Sequence, residues 1–440
     1  MSVGKGDRGK AELLSDFDIA RRGASYRDFL TKYRPLVSEL TIPDLQRVQH
    51  ACRSEGLIFE ERNLRQQIGL RLEHMRKNTT WPQDFFVFGL DWTGALGHHV
   101  VLERYFRLQQ MSILPSGTRV VLQRPATSPN PELFKFVTNG ATVVRGSSKL
   151  MQRLHTQFLP VRCDMSATRL GKRFLDSHEI SDIAEWEWYD RGNAAARLTN
   201  QRIIERAMRV LRGWGLRDGD WFVAFHVRSG NTRFDSTLNN AEISTYLPAM
   251  KMVTDCGGWV IRMGNTDMPP LPLNLPNTVD YAHAIERSPW LDMYLWSHAR
   301  FAVGTNSGGT EPFHLFGVPT LRTNCNNYPT QYFVPRSVLL PKLFRRPGHS
   351  RAMSMEETVA SPWCWSETSV HKNFPADVLD NSPEDIRNGL VELMNSSGRA
   401  GSFLELDEDQ RRFQEIRLAS GRKERLPIAR SFLHAHSFFV

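Results

Sequence analysis

The sequence predicts an α/β protein made of two parallel-sheet units facing each other across a cleft. Three observations carry that prediction. Short apolar runs with the look of strands buried on both faces recur at 85–90, 118–122, 141–144, 222–227, 259–264 and 301–303. Segments with helical apolar spacing lie among them, at 100–111, 200–211, 246–254 and 291–298. Polar, glycine-bearing loops follow several strands, at 94–97, 230–231, 264–265 and 304–309. Strands alternating with helices imply parallel sheets with right-handed crossovers, and open sheets of that kind bind ligands at their carboxyl edge.

The chain has 440 residues, long for one core, so two domains with additions are expected. Residues 1–80 read as a helical extension, 81–212 as the first α/β unit, 213–350 as the second and 351–440 as a helical or irregular tail. In the extension, Ile68, Leu70, Leu72 and Met75 alternate with Arg and Gln, giving an appended layer with no visible chemistry. The first unit opens on the strand at 85–90, followed by a Gly-Ala-Leu-Gly turn and a helix whose Val101, Tyr105, Phe106 and Leu108 cover one side. Residues 150–200 are less regular, although 185–190 is unusually aromatic and is assigned to core packing. The second unit opens on Phe222-Val-Ala-Phe-His-Val, the clearest strand in the sequence. Past residue 330 the pattern weakens to helix candidates at 383–394 and 404–417.

A formal charge of +9, from 56 Lys and Arg against 47 Asp and Glu, suggests anionic partners such as nucleotides, acidic glycans or a membrane surface. No zinc spacing or RNP-type strand accompanies it, so nucleic acid is not expected. Five widely spaced cysteines with no CxxC pair suit a reducing compartment rather than a disulfide framework. A polar N-terminus and the lack of any apolar run of about 18 residues point to the cytoplasm, with peripheral contact at the inner membrane face left open. P-loop and HExxH signatures are absent, and neither the histidines nor the acidic pairs are spaced as ligands, so no metal is expected.

The stretch 300–320 is the most informative. A buried strand at 301–303 runs into Gly304, then Thr305, Asn306, Ser307, Gly308 and Gly309; Thr310 is placed near the N-cap of a helix with Pro312 in its first turn. Hydroxyls and unpaired N–H groups in such a loop suit an anion, whereas an ordinary turn would bind nothing. Glu311 has two readings, a ribose ligand accepting two hydroxyls or an acid that only favours the helix start. His226, Arg228, Gly230 and Asn231 close the strand at 222–227, where a planar guanidinium suits bidentate contact with phosphate; pairing with an internal carboxylate is the competing role. Arg262 and Gly264 end another strand and form either a ligand rim or a plain turn. In the first unit, Gly94 and Gly97 permit close approach of a second ligand, and His98 beside them is the candidate general base, against capping or core roles for His98 and His99.

The ordered blocks between Phe222 and Asn324, among them Phe-Val-Ala-Phe-His-Val-Arg228, Gly257-Gly-Trp-Val-Ile-Arg-Met-Gly264 and Arg300-Phe-Ala-Val-Gly-Thr-Asn-Ser-Gly308, resemble an uncharacterised bacterial family assigned as glycosyltransferases and associated with surface-polysaccharide genes. The first unit matches more loosely, through the Gly97-His98 turn. His226-x-Arg228-x-Gly230 is also similar to the His-x-Arg-x-Gly-Asp motif of GDP-fucose-using fucosyltransferases, with Asn231 at the place of the acid. The resemblance implies a GT-B-like enzyme of two Rossmann-like domains, the first on the acceptor side and the second binding the donor. It implies a nucleotide-diphosphate sugar as co-substrate, no resident cofactor, a glycan or lipid-linked acceptor, and Arg228 at the diphosphate. Gly309-Thr310-Glu311 is similar to the donor loop of many GT-B enzymes, in which Gly-Gly-Thr contacts the diphosphate and the Glu the ribose. A nucleotide-sugar epimerase and a non-catalytic nucleotide- or carbohydrate-binding relative are the alternatives.

Overall fold

A computed structural model describes residues 40–54, 57–123, 129–229, 237–272, 275–326, 337–361, 376–396, 407–419 and 428–440. Helices α1 (Ile42–Ser54) and α2 (Ile58–Lys77) pair first. They bury Leu45, Val48, Cys52, Ile68 and Leu72 together with Ala167 and Phe174, so the described part of the extension, from residue 40 on, is packed onto the first unit, and residues 1–39 lie outside the described residues. Each fully buried aliphatic or aromatic side chain is worth about 1.5–3 kcal/mol.

The first unit runs β1 (Phe85–Phe88), α3 (Leu96–Gln110), β2 (Thr118–Gln123), α4 (Pro131–Val137), β3 (Thr142–Arg145), α5 (Ser148–Gln157) and β4 (Arg162–Cys163). All four strands are parallel, in the order β3-β2-β1-β4. An antiparallel hairpin follows, β5 (Thr168–Leu170) and β6 (Arg173–Leu175), and then α6 (Ser177–Asp190), whose start is fixed by a capping box between Asp176 and Glu179. Helix α6 occupies the region that reads as irregular. Its Glu185 is fully buried, and a charged residue on the packed face hides the apolar period.

Helix α7 (Gln201–Trp214) leads to the second unit and stops at Gly215, whose φ of 105° favours glycine. The unit comprises β7 (Phe222–His226), α8 (Leu247–Asp255), β8 (Trp259–Arg262), β9 (Thr278–Val279), α9 (Pro289–His298), β10 (Phe301–Thr305), α10 (Glu311–Leu315), β11 (Thr320–Cys325) and β12 (Val338–Pro341). Its six strands are parallel, in the order β12-β11-β10-β7-β8-β9. Alternate residues of β7 feed two cores, as a period of two requires: Val223 and Phe225 on one face, Phe222 and Ala224 on the other.

The remaining elements are β13 (Leu343–Arg345), α11 (Met355–Val359), β14 (Asp377–Leu379), α12 (Pro383–Ser396), α13 (Glu408–Ala419) and α14 (Arg430–Ala435). Ile386, Leu390, Phe413, Ile428 and Phe432 from this region share a core with Val223, Phe225 and Leu321. The described C-terminal residues therefore complete the second unit by covering one face of its sheet. On the other face, Val100 and Leu133 of the first unit pack with Ala224, Ile261, Phe313 and Leu315, so the two units meet through a continuous apolar core.

Each parallel sheet has one place where consecutive strands diverge to opposite sides. In the second sheet this lies between β7 and β10, and in the first between β1 and β4. Such switch points leave a crevice at the carboxyl ends of the strands.

Candidate ligand site at the second switch point

The loop after β10 is built around two buried threonines. Gly304 pairs with His226 of β7, and a Cβ on Gly304 would come 2.5 Å from the Thr310 hydroxyl. Thr310 Oγ1 donates to the Thr305 carbonyl at 2.8 Å, and its N–H donates to the Ser307 carbonyl at 2.9 Å. Thr310 is the N-cap residue of the following helix, as the sequence places it, and a threonine there ordinarily bonds the first turn with its hydroxyl. It makes no such bond, because the hydroxyl is used inside the loop. Thr305 Oγ1 accepts the Arg228 N–H at 3.1 Å, tying the loop to the end of β7. Ser307 is half-buried, and its Oγ accepts from Gly309 N at 3.4 Å. Asn306 accepts from Arg322 Nη2 at 3.1 Å and donates to Asn326 Oδ1 at 3.3 Å.

His226 lies under this loop. A Cβ on Gly309 would fall 2.2 Å from His226 Nε2, so glycine is what allows the backbone to rest against the imidazole. Burial, and then the nearby charge of Arg262, push the imidazole down to about 4, and it is neutral at physiological pH. Arg228 is also buried at 9 % exposure, and burial lowers its guanidinium from its ordinary value. Arg262 is wholly buried and committed within its own unit: it bonds Asp280 at 3.0 Å and the Pro269 carbonyl at 2.9 Å. Gly264, with φ at 154°, lies against Met268 and accepts from Arg287 Nε at 3.2 Å. Gly230 and Asn231 lie outside the described residues.

The first unit reaches this loop through the start of α3. A Cβ on Gly97 would meet the Gly308 Cα at 3.4 Å, and one on Gly308 would meet the Gly97 backbone nitrogen at 3.0 Å. Two glycines thus let the backbones of the two units touch. His98 follows immediately; its Nδ1–H donates to the Asp91 carbonyl at 2.7 Å, which leaves Nε2 as the basic nitrogen. Burial lowers its pKa from the ordinary value of 6.5, favouring the neutral form. His99 is fully buried with its ring against Phe134, and burial takes it down to about 4, a core role. Gly94 has ample room for a side chain.

Three residues important to this site escape the sequence reading: Arg104, Glu185 and Arg322. Arg104, on the buried side of α3, bonds Glu185 at 2.8 Å and Glu311 at 3.2 Å. Arg322, on β11, reaches the other oxygen of Glu311 at 3.4 Å. Burial pushes the Glu311 carboxyl up, but Arg322, His314 and Arg104 outweigh it and hold it well below the usual carboxylate range. Glu311 therefore links the two units with both oxygens engaged by arginines, rather than standing open to a diol. The one available signal was an arginine within the apolar stripe of a helix, at a position where an ion partner is obligatory.

Among the described residues, no group of His, Cys, Asp or Glu could hold a metal ion, and no helix is long and apolar enough to cross a membrane. A largely apolar pocket of 490 Å³, lined by Leu72, Phe86, Tyr105, Leu114 and Phe174, lies apart from the loop, within the first unit and its appended helices.

No family model and no curated protein matches the chain. Among solved structures it is similar to a glycosyl transferase family 9 protein from Veillonella parvula, with 12 % identity over 72 % of this chain and 99 % of that one and a TM-score of 0.42. It is also similar to the iron-containing dodecameric glycosyltransferase TibC from enterotoxigenic E. coli, with 14 % identity, 72 % and 76 % coverage and a TM-score of 0.38. A third is the E. coli heptosyltransferase WaaC with ADP, at 10 % identity, 58 % and 90 % coverage and a TM-score of 0.30. Likenesses this distant carry no activity across to this chain.

Proposed function

We propose that the chain is a GT-B-like glycosyltransferase that moves a sugar from a nucleotide-diphosphate sugar to a hydroxyl of a glycan or lipid-linked acceptor. The observation that carries this reading is the contact between Gly97 and Gly308. It brings the start of α3, where His98 follows Gly97, against the hydroxyl- and glycine-bearing loop of the other unit, whose Thr305 accepts from the Arg228 N–H.

In the proposed step the acceptor oxygen attacks the anomeric carbon, the bond from that carbon to the phosphate oxygen breaks, and its electron pair leaves on the nucleoside diphosphate. His98 Nε2 takes the acceptor proton. Arg228, Ser307 and the loop N–H groups stabilise the charge that develops on the departing phosphate, which is the most valuable place to put fixed positive charge. Thr305 and Thr310 shape the loop. Glu311 holds it against the first unit, a structural role in place of the ribose contact. A guanidinium at the diphosphate does the electrostatic work of a divalent ion, so turnover is expected to be metal-independent, and no resident cofactor is required. We further propose a cytoplasmic protein acting in surface-polysaccharide synthesis at the inner membrane face.

Incubating the full chain with a panel of nucleotide sugars and saccharide acceptors tests this. Released nucleoside diphosphate together with a glycosylated acceptor supports transfer, and activity should persist in EDTA. Isomerised donor without transfer indicates an epimerase, and binding without turnover a nucleotide-responsive module.

A further inference from the structure

We infer that a second pocket, at the switch point of the first sheet, binds a neutral hydroxylated ligand: a sugar ring of the acceptor. The word acceptor rests on the glycosyltransferase reading; the chemistry of the pocket does not. Strands β1 and β4 are neighbours, whereas β2 and β3 lie on the other side of β1, so a crevice opens where the carboxyl ends of β1 and β4 part. Asp91 follows β1, and Asp164 and Ser166 follow β4. Gln46 and Gln49 of α1 also line the space, so the appended helices contribute to a pocket that the α/β unit alone would leave incomplete. It encloses 350 Å³, within the range of small-ligand sites.

Most of its charged groups already have partners. Asp164 accepts from Gln46 Nε2 at 2.5 Å and from Ser166 N and Oγ at 2.9 and 2.6 Å. Glu61 and Asp176 are bound to Arg65 at 2.7 and 3.0 Å. Two buried atoms of opposite kind have no hydrogen-bond partner: the acceptor Asp91 Oδ1 and the donor Arg162 Nε, on a side chain only 7 % exposed. His155 Nδ1 accepts the Leu90 N–H at 3.2 Å, so that ring is committed beside the pocket. A buried polar atom left unpaired forfeits its hydration without compensation, so both orphan atoms call for a partner.

This inventory selects the ligand. An anion would lie against Asp91 and Asp164. An apolar group would leave both orphan atoms stranded. No group of potential ligands among the described residues could hold a metal. A hydroxyl donates and accepts at once, so adjacent hydroxyls of a sugar can satisfy both Asp91 Oδ1 and Arg162 Nε. Asp91 also fixes His98 through its main-chain carbonyl. A ring seated on the Asp91 side chain is thereby registered against the proposed base.

The test is saturation-transfer NMR on the full chain with the methyl glycosides of glucose, galactose, mannose and rhamnose. At least one should receive saturation. Gln46→Trp, which fills the pocket from α1, should abolish the signal, and Asp91→Asn should weaken affinity at least tenfold, with circular dichroism unchanged. No transfer to any of the four with the wild type, or equal transfer in Gln46→Trp, overturns the inference. Calorimetry with ADP, GDP and UDP separates the two readings. If none of the three binds, the donor-site reading fails, while a methyl glycoside signal lost in Gln46→Trp still upholds the pocket.

Discussion

Arg104 Nη1 and Glu311 Oε2 lie 3.2 Å apart although 207 positions separate them in the chain. The arginine belongs to the first unit and the glutamate to the second, and their side chains are 0 % and 9 % exposed. A buried ion pair adds little against an apolar replacement of both partners, but removing one partner strands the other. Arg104→Leu leaves Glu311 with Arg322 and Glu185 with Arg107 but removes the guanidinium they share, and should cost up to about 3–5 kcal/mol in urea unfolding. Arg104→Lys keeps the charge but loses the planar fork, and should fall between the two. A wild-type midpoint for Arg104→Leu would remove the pair from any role in joining the units.

The same network sets an acid limit. The Glu311 carboxyl sits below its ordinary 4.5 in the folded chain, so the stability it contributes is complete above that value and is lost as pH falls below it. His226 acts earlier. Its folded value of about 4 lies below the ordinary 6.5, so the unfolded chain takes up the proton first. Stability should decline from pH 6.5 towards 4 and then fall further as Glu311 protonates. His226→Gln should make the first part of that decline shallower in thermal melts across pH, leaving the share of His99, which burial also takes down to about 4, and the second part; an unchanged profile would refute the assignment.

Glycine at position 309 should be irreplaceable for ligand binding. An added methyl would sit 2.2 Å from His226 Nε2, and either the ring or the loop has to move. Overpacking of this kind costs about 1–3 kcal/mol. Gly309→Ala should lower the melting temperature and weaken nucleoside diphosphate binding together, while Gly94→Ala, with open space around it, should change neither. Wild-type binding by Gly309→Ala would place the ligand elsewhere.

These residues also show what the sequence discloses. Strands β7, β8 and β10 were legible because their residues are apolar on both faces, and the loop after β10 because glycines and hydroxyls cluster there. Strand β4 has only two residues, too few for any period to register. The partners of Glu311 were hidden for another reason: Arg104 and Arg322 meet it only through tertiary packing, 207 and 11 positions away, and no local pattern encodes that meeting. The C-terminal helices read as a tail because their apolar residues make sense only against the sheet they cover.

Arg228 offers a second test of the donor site, since its backbone N–H ties the loop through Thr305. Arg228→Ala preserves that bond. Losing a charge-assisted contact to a diphosphate is worth about 1.5–3 kcal/mol, roughly tenfold to a hundredfold in affinity. Calorimetry with ADP, GDP and UDP should show that loss for whichever nucleotide the wild type binds, with circular dichroism unaltered. Equal affinities in the two proteins would exclude the side chain from the site.

His98 is testable by pH as well as by substitution. Its Nδ1–H is held by the Asp91 carbonyl and burial lowers its pKa, so Nε2 is unprotonated at neutral pH and stays so below 6.5. As a general base it works only in that form. The acid limb of kcat/KM should therefore lie below pH 6.5, whereas an exposed imidazole would already lose activity there. His98→Ala should reduce kcat by about 10²–10⁴, the usual worth of a positioned base, and leave nucleoside diphosphate affinity intact. A variant with wild-type kcat, or an acid limb above 6.5 in the wild type, would pass the role to another group beside the Gly97–Gly308 contact.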